Sequence, residues 1–333
     1  MIFSNLNSLF ILRYFESPPV KLLALCIAAT KVGEVNLCIC VPTLDASQTW
    51  DQLMHALRGQ ALRPSKVLVL DSSSTDATPE LAKRDGCRVV TILRSEFRHG
   101  GTRQQAAELE PDADVLVYLT QDSILADANA LGRLIAAFDD PTVGAAYGRQ
   151  LPRPDSDAIA AHARLFNYPP ISAVRSLKDA GTLGFKSIFF SNSFGAYRRS
   201  ALLEVGGFPR ASTFGEDTVV AAHLLQANWK IAYVADAQAF HSHRYNCREE
   251  FERYCAIGRL HGSEPWLLRD FGTATGEGRR FVVSEIRYLL KQAPWLLPEA
   301  LLRNALKYVG YKRGRRLALG QLRMERQARK RTG

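Results

Sequence analysis

The chain of 333 residues is long enough for one large α/β domain with additions or for two modest domains. Its hydrophobic content of 47% and charged content of 23% are ordinary for a globular protein and exclude wholesale disorder. The six cysteines form no C-x-x-C pair, a pattern that fits a reducing compartment.

The net charge of +10 is concentrated at the C-terminal end. From Arg303 onward the sequence has 11 Lys/Arg and one acidic residue, whereas 32 basic and 32 acidic residues precede Arg303. Trp295, Tyr308 and neighbouring apolar residues accompany the charges, and this combination favours contact with an anionic membrane. The alternatives are a solvated helix or a nucleic-acid patch. We favour the membrane and expect no nucleic-acid partner.

No stretch of the sequence reaches the ~18–20 apolar residues that a membrane-spanning helix needs. Arg13, Glu16 and Lys21 interrupt the apolar residues near the N-terminus, and we find no convincing signal peptide. Residues 1–34 are therefore interpreted as an accessory leader or as an artefact of the start site.

Short apolar segments alternate with helical patterns in the first 120 residues. The predicted strands span residues 36–41, 66–70, 89–93 and 114–120, and the predicted helices span residues 47–60, 78–85 and 100–108. This alternation predicts a mostly parallel sheet covered by helices on both faces. Ligands of such sheets bind outside the carboxyl ends of the strands. Polar segments follow each predicted strand at that edge: Pro42 with Thr43, then residues 71–76, 94–103 and 121–123.

The hydrophobic pattern of the sequence changes after residue 150. Residues 151–185 have four prolines and little clear hydrophobic periodicity, so we expect a mobile or acceptor-facing segment. Strand and turn are predicted for residues 186–197, short helix for 200–205, helix for 216–228 and strand for 229–234. Beyond residue 248 the pattern is mostly helical.

Two of the polar segments suit recognition of a nucleotide. Asp71 and Asp76 can accept hydrogen bonds from a base or from ribose hydroxyls, although Asp76 or Thr78 could equally cap the following helix. Gly101 lets the backbone approach a ligand, and Arg103 in the first turn of a helix suits a diphosphate.

Three further side chains are candidates for a metal site. Asp122 follows a strand, where a hard cation such as Mg²⁺ or Mn²⁺ could lie between a carboxylate and a diphosphate, and the alternative is a helix cap. His241 and His243 follow a later strand and point to the same side. Two such imidazoles suit a metal or phosphate role as well as a structural one.

Glu216 and Asp217 precede an apolar helix. Carboxylates at a helix N-terminus are stabilised by the helix dipole, and this stabilisation alone is sufficient to explain two acidic residues at this position. The functional interpretation is a general base that takes a proton from an attacking hydroxyl.

Taken in chain order, these segments resemble the family 2 glycosyltransferases over roughly residues 36–245. The ordered set includes Pro42–Thr43, Asp71 to Asp76, Gly101 with Arg103, Asp122, Gly206-Gly-Phe208, Glu216–Asp217 and the late histidines. Within that family, residues 96–104, 120–123 and 241–243 are similar to bacterial rhamnosyltransferases.

The resemblance implies a GT-A fold, which is a Rossmann-like, mostly parallel sheet flanked by helices, here with a helical C-terminal extension. It also implies an inverting transfer of a sugar from a nucleotide-sugar donor, dTDP-L-rhamnose by similarity, to a lipid-linked cell-surface glycan. The implied donor-binding residues are Pro42, Thr43, Asp71, Asp76, Gly101, Arg103, Gln121 and Asp122. Asp217 would be the base, Glu216 and Asn192 would contact the acceptor, and Asp122, His241 and His243 would hold the divalent cation, Mg²⁺ or Mn²⁺.

The sequence departs from the family at one position. The family's D-x-D motif has an acid where this chain has Thr120, so only the second acid, Asp122, remains. A histidine or Arg103 could compensate for the missing carboxylate.

We therefore expect a catalytic domain at residues 35–247 and a basic helical extension at residues 248–333 that docks on the inner face of the plasma membrane. Two alternatives are a sugar-1-phosphate nucleotidyltransferase and a non-catalytic protein that binds membrane or nucleic acid. The G-x-G-T-R loop of nucleotidyltransferases follows their first strand, whereas the similar segment here follows the third.

Overall fold

The computed structural model of the protein describes residues 35–273 and 276–332. The predicted leader, residues 1–34, lies outside them. The described residues form one compact unit, which includes parts of both the predicted catalytic domain and the predicted extension.

The first part of the chain alternates strands and helices as predicted. The elements are β1 (Leu37–Thr43), α1 (Ser47–Arg58), β2 (Lys66–Asp71), α2 (Thr78–Arg84), β3 (Arg88–Thr91), α3 (His99–Leu109) and β4 (Val115–Leu119). All four strands are parallel to their neighbours in this part of the sheet. The polar segments after them consequently meet at one edge of the sheet.

The later part of the chain completes the sheet and adds helices. Its elements are β5 (Ile124–Leu125), α4 (Ala130–Ile135), β6 (Val143–Leu151), α5 (Ala158–Asn167), β7 (Ala173–Arg175), α6 (Ala180–Leu183), β8 (Phe194–Arg198), α7 (Arg199–Glu204), α8 (Glu216–Gln226), β9 (Lys230–Phe240), α9 (Cys247–Ser263), α10 (Pro265–Phe271), α11 (Glu277–Gln292) and α12 (Leu297–Thr332). The strand order is β3-β2-β1-β4-β8-β6-β9-β5, with β7 beside β9. Strand β8 is antiparallel to both β4 and β6, while β6 and β9 are parallel.

Both faces of the sheet are buried, which explains why its central strands are apolar throughout. In β1 the side chains of Leu37 and Ile39 join the core that contains Trp50 of α1. Cys38 and Cys40 point to the opposite face and join the core that contains Phe208. The two cysteines therefore share a face of the sheet, and both are buried free thiols.

Residues 151–185 contain more regular structure than their sequence pattern indicated. Helix α5 begins after Asp157, whose carboxylate accepts a hydrogen bond from the amide of Ala160 at 2.8 Å. This N-cap follows two prolines, Pro152 and Pro154, and the prolines obscured the short helical pattern behind them. Strand β9 is also longer than predicted, because it continues to Phe240 and so delivers the late histidines to the sheet edge.

Glycines on two C-terminal helices allow those helices to pack closely. A Cβ atom on Gly258 of α9 would lie 2.1 Å from the carbonyl oxygen of Tyr311, and one on Gly314 of α12 would lie 1.9 Å from that of Cys255. The two backbones therefore touch along this crossing, which joins α12 to the rest of the fold. Among the described helices, none combines the length and apolar character that a membrane span requires.

Candidate functional site

A pocket of about 390 Å³ opens at the carboxyl ends of β1, β2 and β4. Four of its lining residues are predicted donor-binding residues: Pro42, Thr43, Arg103 and Gln121. The remaining lining residues were not among the predicted donor-binding residues: Leu44, Ser72, Arg94, Phe97, His99 and Thr120. Three of these, Arg94, Phe97 and His99, lie in the polar segment after β3. That segment was predicted to face a ligand because it follows the carboxyl end of a strand.

Asp71 fixes one wall of this pocket. Its carboxylate is buried and accepts hydrogen bonds from the hydroxyl of Thr43 at 3.0 Å and from the amide of Ser74 at 2.9 Å. The buried hydroxyl of neighbouring Ser72 has no hydrogen-bond partner among the described residues, and Ser72 lines the pocket. Asp71 thus holds the wall in place, and Ser72 offers a free polar group to a ligand.

Asp76 lies outside the pocket lining and has the contacts of a helix-start residue. Its carboxylate accepts hydrogen bonds from the amide of Ser47 at 2.9 Å and from the amide of Thr78 at 3.0 Å. These contacts tie the starts of α1 and α2 together, which is the alternative the sequence offered. A donor-binding role of Asp76 stays a prediction.

Gly101 is required by packing. A Cβ atom there would lie 2.9 Å from the carbonyl oxygen of Arg210, so α3 rests directly on the 209–212 turn. Gly101 is not among the pocket-lining residues, and its predicted contact with the donor stays a prediction.

A buried ion pair connects the pocket to the predicted catalytic helix. Arg103 Nη1 lies 2.8 Å from Glu216 Oε1, and both side chains are about 95% buried. Asn192 donates to the same Glu216 oxygen at 3.0 Å and accepts from the hydroxyl of Tyr197 at 2.8 Å. Burial opposes ionisation of Glu216, but the Arg103 guanidinium, His99 and the hydrogen bond from Asn192 together hold the pKa of Glu216 below its usual value.

Glu216 and Asn192 are therefore satisfied within the protein. Their contacts are those of a support beneath the start of α8, and their predicted role in acceptor binding stays a prediction. Such a support holds the next residue of the helix, Asp217, in a fixed place.

Asp217 has the electrostatics of a general base. It is half-buried at the start of α8, and burial together with the negative charge of Glu216 raises its pKa to about 7. A carboxyl group with this pKa is partly ionised near neutral pH and holds a proton more strongly than an ordinary aspartate. The residue can therefore take a proton from a substrate hydroxyl.

Asp122, His241 and His243 come together as the sequence predicted. Asp122 Oδ2 lies 3.4 Å from His241 Nε2 and 3.6 Å from His243 Nε2, and the two Nε2 atoms are 3.1 Å apart. Strand β4 delivers the carboxylate, and strand β9 delivers both imidazoles. Burial and the neighbouring His241 lower the pKa of His243 to about 4, so its ring is neutral at pH 7 and can act as a ligand.

Gln150 orients one of these imidazoles. Its Oε1 atom lies 3.0 Å from His241 Nδ1 and also accepts from Arg164, while its Nε2 atom donates to Ser191 at 2.8 Å. Because the amide oxygen only accepts, His241 carries its proton on Nδ1 and presents the Nε2 lone pair to Asp122 and His243. One carboxylate and two imidazoles fit a divalent cation such as Mn²⁺. Gln150 was missed because nothing in its local sequence marks it.

The fold and this site define a GT-A-type glycosyltransferase: a Rossmann-like half-sheet with a pocket at its strand ends, an acid and two histidines beside it, and a carboxylate of raised pKa at a helix start. The sequence pattern described as "Glycosyl transferase family 2" matches residues 38–206. The chain belongs to this family and is a glycosyltransferase.

Two curated relatives are similar over most of their length. The O-antigen chain rhamnosyltransferase RfbN of Salmonella typhimurium is 46% identical over 282 residues, which cover 84% of this chain and 90% of that protein. The O-antigen chain rhamnosyltransferase WbaN of Salmonella anatum is 46% identical over 276 residues, which cover 83% and 88%.

Solved structures support the fold. The mannosyltransferase PcManGT from Pyrobaculum calidifontis, determined with GDP-Man and Mn²⁺, has a TM-score of 0.54 at 16% identity, covering 83% of this chain and 86% of that one. TarS residues 1–349 from S. aureus with UDP-GlcNAc has a TM-score of 0.50 at 13% identity, covering 84% and 90%. At these identities the likeness concerns the fold alone.

Proposed function

We propose that this glycosyltransferase transfers L-rhamnose from dTDP-L-rhamnose to a hydroxyl of a lipid-linked cell-surface glycan, with inversion at the anomeric carbon. The observation that carries the proposal is the 46% identity with two O-antigen chain rhamnosyltransferases across most of both chains. Similarity of this extent favours the rhamnosyl donor over other nucleotide sugars. It also disfavours a sugar-1-phosphate nucleotidyltransferase and a purely binding protein.

The donor is proposed to lie in the 390 Å³ pocket at the strand ends. Arg94 and Arg103 line it and can face the diphosphate, while Ser72 offers its hydroxyl to the nucleoside. Thr43 and Gln121 complete the lining. The residues that follow β1 and β4 are joined by hydrogen bonds, such as the 2.8 Å bond from the amide of Leu44 to the Gln121 side chain. The pocket is therefore pre-organised.

Asp122, His241 and His243 are proposed to hold Mg²⁺ or Mn²⁺. When bound, such a cation neutralises the negative charge of a diphosphate leaving group. Two imidazoles then replace the carboxylate that the D-x-D motif would supply at Thr120. Gln150 keeps His241 in the tautomer that ligation needs.

Asp217 is proposed to be the general base. As the acceptor oxygen forms its bond to the anomeric carbon, the acceptor proton passes to the Asp217 carboxylate and the bond to the diphosphate oxygen breaks with its electron pair. Burial and the negative charge of Glu216 raise the pKa of Asp217, and the buried pair of Glu216 and Arg103 supports its position. One displacement of this kind inverts the configuration.

The outer face of α12 supports a proposal of contact with the anionic inner leaflet of the plasma membrane. Its first half exposes Leu301, Leu302, Tyr308 and Val309, and the same face continues with basic residues: Lys312, Arg313 and Arg316. Apolar side chains beside cations suit a lipid interface. Co-sedimentation with phosphatidylglycerol vesicles tests this, with phosphatidylcholine vesicles as the control. Equal recovery with both would reject an electrostatic membrane contact.

A thermal-shift screen of nucleotide sugars tests the donor. Ligand binding raises the unfolding temperature according to RT ln(1 + [L]/Kd), so dTDP-L-rhamnose with Mn²⁺ should give the largest shift in a panel that includes UDP and GDP sugars. Removal of the cation with EDTA should reduce this shift. A larger shift with a UDP or GDP sugar would reject the rhamnosyl donor.

A further inference from the structure

A second pocket lies among α5, α9, α11 and α12, and His243 of the cation-binding group is one of its lining residues. Its volume is about 90 Å³, so it suits a small group rather than a nucleotide sugar. We call it the helical pocket. Its polar and aromatic lining residues are Arg164, Asn167, His243, Tyr245, Glu250, Arg253, Tyr254, Phe281, Arg303 and Lys307.

The helical pocket carries excess positive charge. Lys307 is balanced by Glu250 at 3.5 Å, and Arg303 pairs with Glu299. In contrast, Arg164 donates a hydrogen bond to the neutral side-chain amide of Gln150, and Arg253 donates one to the hydroxyl of Tyr245 at 3.2 Å. Neither of these two guanidinium groups has a carboxylate partner among the described residues.

Two arginines of this pocket also have unused donors. The Nε atoms of Arg164 and Arg303 are buried and have no hydrogen-bond partner among the described residues, and the Arg303 side chain is only 6% exposed. A buried donor without a partner costs free energy that an anionic oxygen would recover. The pocket therefore has both the charge and the free N–H groups that a phosphate needs.

The helical pocket adjoins the reaction centre but is separate from the donor pocket. His243 lines it and also belongs to the cation-binding group. The two pockets share no lining residue, and the donor pocket has its own arginines, Arg94 and Arg103. A phosphate in the helical pocket consequently belongs to the other reactant, the acceptor.

We infer that the helical pocket binds a phosphate or diphosphate group of the acceptor, held by Arg164, Arg253 and Arg303. This inference rests on the proposed function, because a glycan linked to a lipid through a phosphate is the acceptor class that carries such a group. Helices α9, α11 and α12 lie outside the residues that match the family pattern, and they contribute six of the thirteen lining residues, including Arg253 and Arg303. The C-terminal helices thus select an acceptor that carries phosphate.

Binding of inorganic pyrophosphate by calorimetry tests the pocket without any sugar transfer. The protein is treated with EDTA and saturated with dTDP, so that the donor pocket is occupied. Arg253→Gln should weaken pyrophosphate binding about tenfold, whereas Arg253→Lys should restore part of it. The matched control is Arg259→Gln, because Arg259 is an exposed residue of the same helix that does not line the pocket. Equal loss in both Gln variants, or no binding by the wild type, would overturn the inference.

Kinetics with two acceptors identifies the source of the phosphate. Arg253→Gln should raise KM about tenfold for the phosphate-linked glycan and leave KM unchanged for the same glycan without phosphate and for the donor. A raised donor KM alone, or equal changes for both acceptors, would overturn the acceptor assignment. If the wild type transfers rhamnose to neither acceptor, the proposed function fails. The pyrophosphate titration alone then decides whether the helical pocket binds phosphate.

Discussion

Replacement of Asp217 by asparagine removes the proposed general base with little change in shape. General-base catalysis contributes typically about 10²–10⁴ in rate, so kcat should fall by that factor. The side-chain amide that replaces the carboxylate is neutral and cannot take the acceptor proton. The donor pocket does not include Asp217, so the dissociation constant of the donor should stay within about twofold, because no donor contact is lost.

The raised pKa of Asp217 gives this prediction a pH signature. With a pKa of about 7, the carboxylate form makes up about a tenth of the enzyme at pH 6, about half at pH 7 and about nine-tenths at pH 8. The base is active when ionised, so activity should rise with pH through this range. The residual activity of Asp217→Asn should lack that rise.

The same raised pKa predicts an effect on stability. Asp217 ionises more easily in the unfolded chain, where its pKa is near 3.8, than in the folded protein, where it is about 7. Rising pH between these values therefore favours the unfolded state, at a cost of about 4 kcal/mol at most by pH 8. Asp217→Asn should be more stable than the wild type at pH 8 and equally stable near pH 4.

Three measurements test these effects. Donor turnover at pH 6, 7 and 8 gives the rate and its pH dependence, calorimetry gives the donor dissociation constant, and urea unfolding gives the stability. Asp236→Asn is the matched control, because Asp236 is an exposed aspartate on β9 outside both pockets. Near-normal turnover of Asp217→Asn, or a pH rise that survives in it, would refute the assignment of the base.

Three other substitutions test the surroundings of the site. Glu216→Gln leaves Arg103 buried without its charge partner and should lower the free energy of unfolding by about 3–5 kcal/mol; a loss below about 1 kcal/mol in urea unfolding would argue against the buried pair. His243→Ala should weaken Mn²⁺ binding by about 10–100-fold or more in an electron paramagnetic resonance titration, and unchanged affinity would reject this ligand. Gly314→Ala should destabilise by about 1–3 kcal/mol through the α9–α12 crossing, whereas Gly320→Ala, which meets no neighbouring atom, should not destabilise.

The sequence predicted the sheet well where strands are buried on both faces. Residues 36–41 and 66–70 are continuous apolar runs bounded by polar segments, and each corresponds to a strand within two residues. Helix α5 was missed because it is short, follows two prolines and buries only part of its surface. The antiparallel strand β8 was located only loosely, because its place between β4 and β6 depends on pairing that no local pattern specifies.

The site was predictable where topology alone brings residues together. Asp122, His241 and His243 follow strands, and the structure places them within hydrogen-bond or near-contact distance of one another. The buried ion pair of Arg103 and Glu216 was not foreseen, because no local sequence pattern reveals that two side chains so far apart in the chain meet in the interior. The helical pocket was not foreseen, since it combines α5 with helices more than 80 residues later in the chain.

Product analysis tests the central claim most directly. The purified protein is incubated with dTDP-L-rhamnose, Mn²⁺ and a phosphate-linked glycan acceptor, and the anomeric configuration of the new linkage is determined by nuclear magnetic resonance. An inverting rhamnosyltransferase predicts a rhamnosylated product whose anomeric configuration is opposite to that of the donor. A product that retains the donor configuration, or transfer from another nucleotide sugar but not from dTDP-L-rhamnose, would contradict the account.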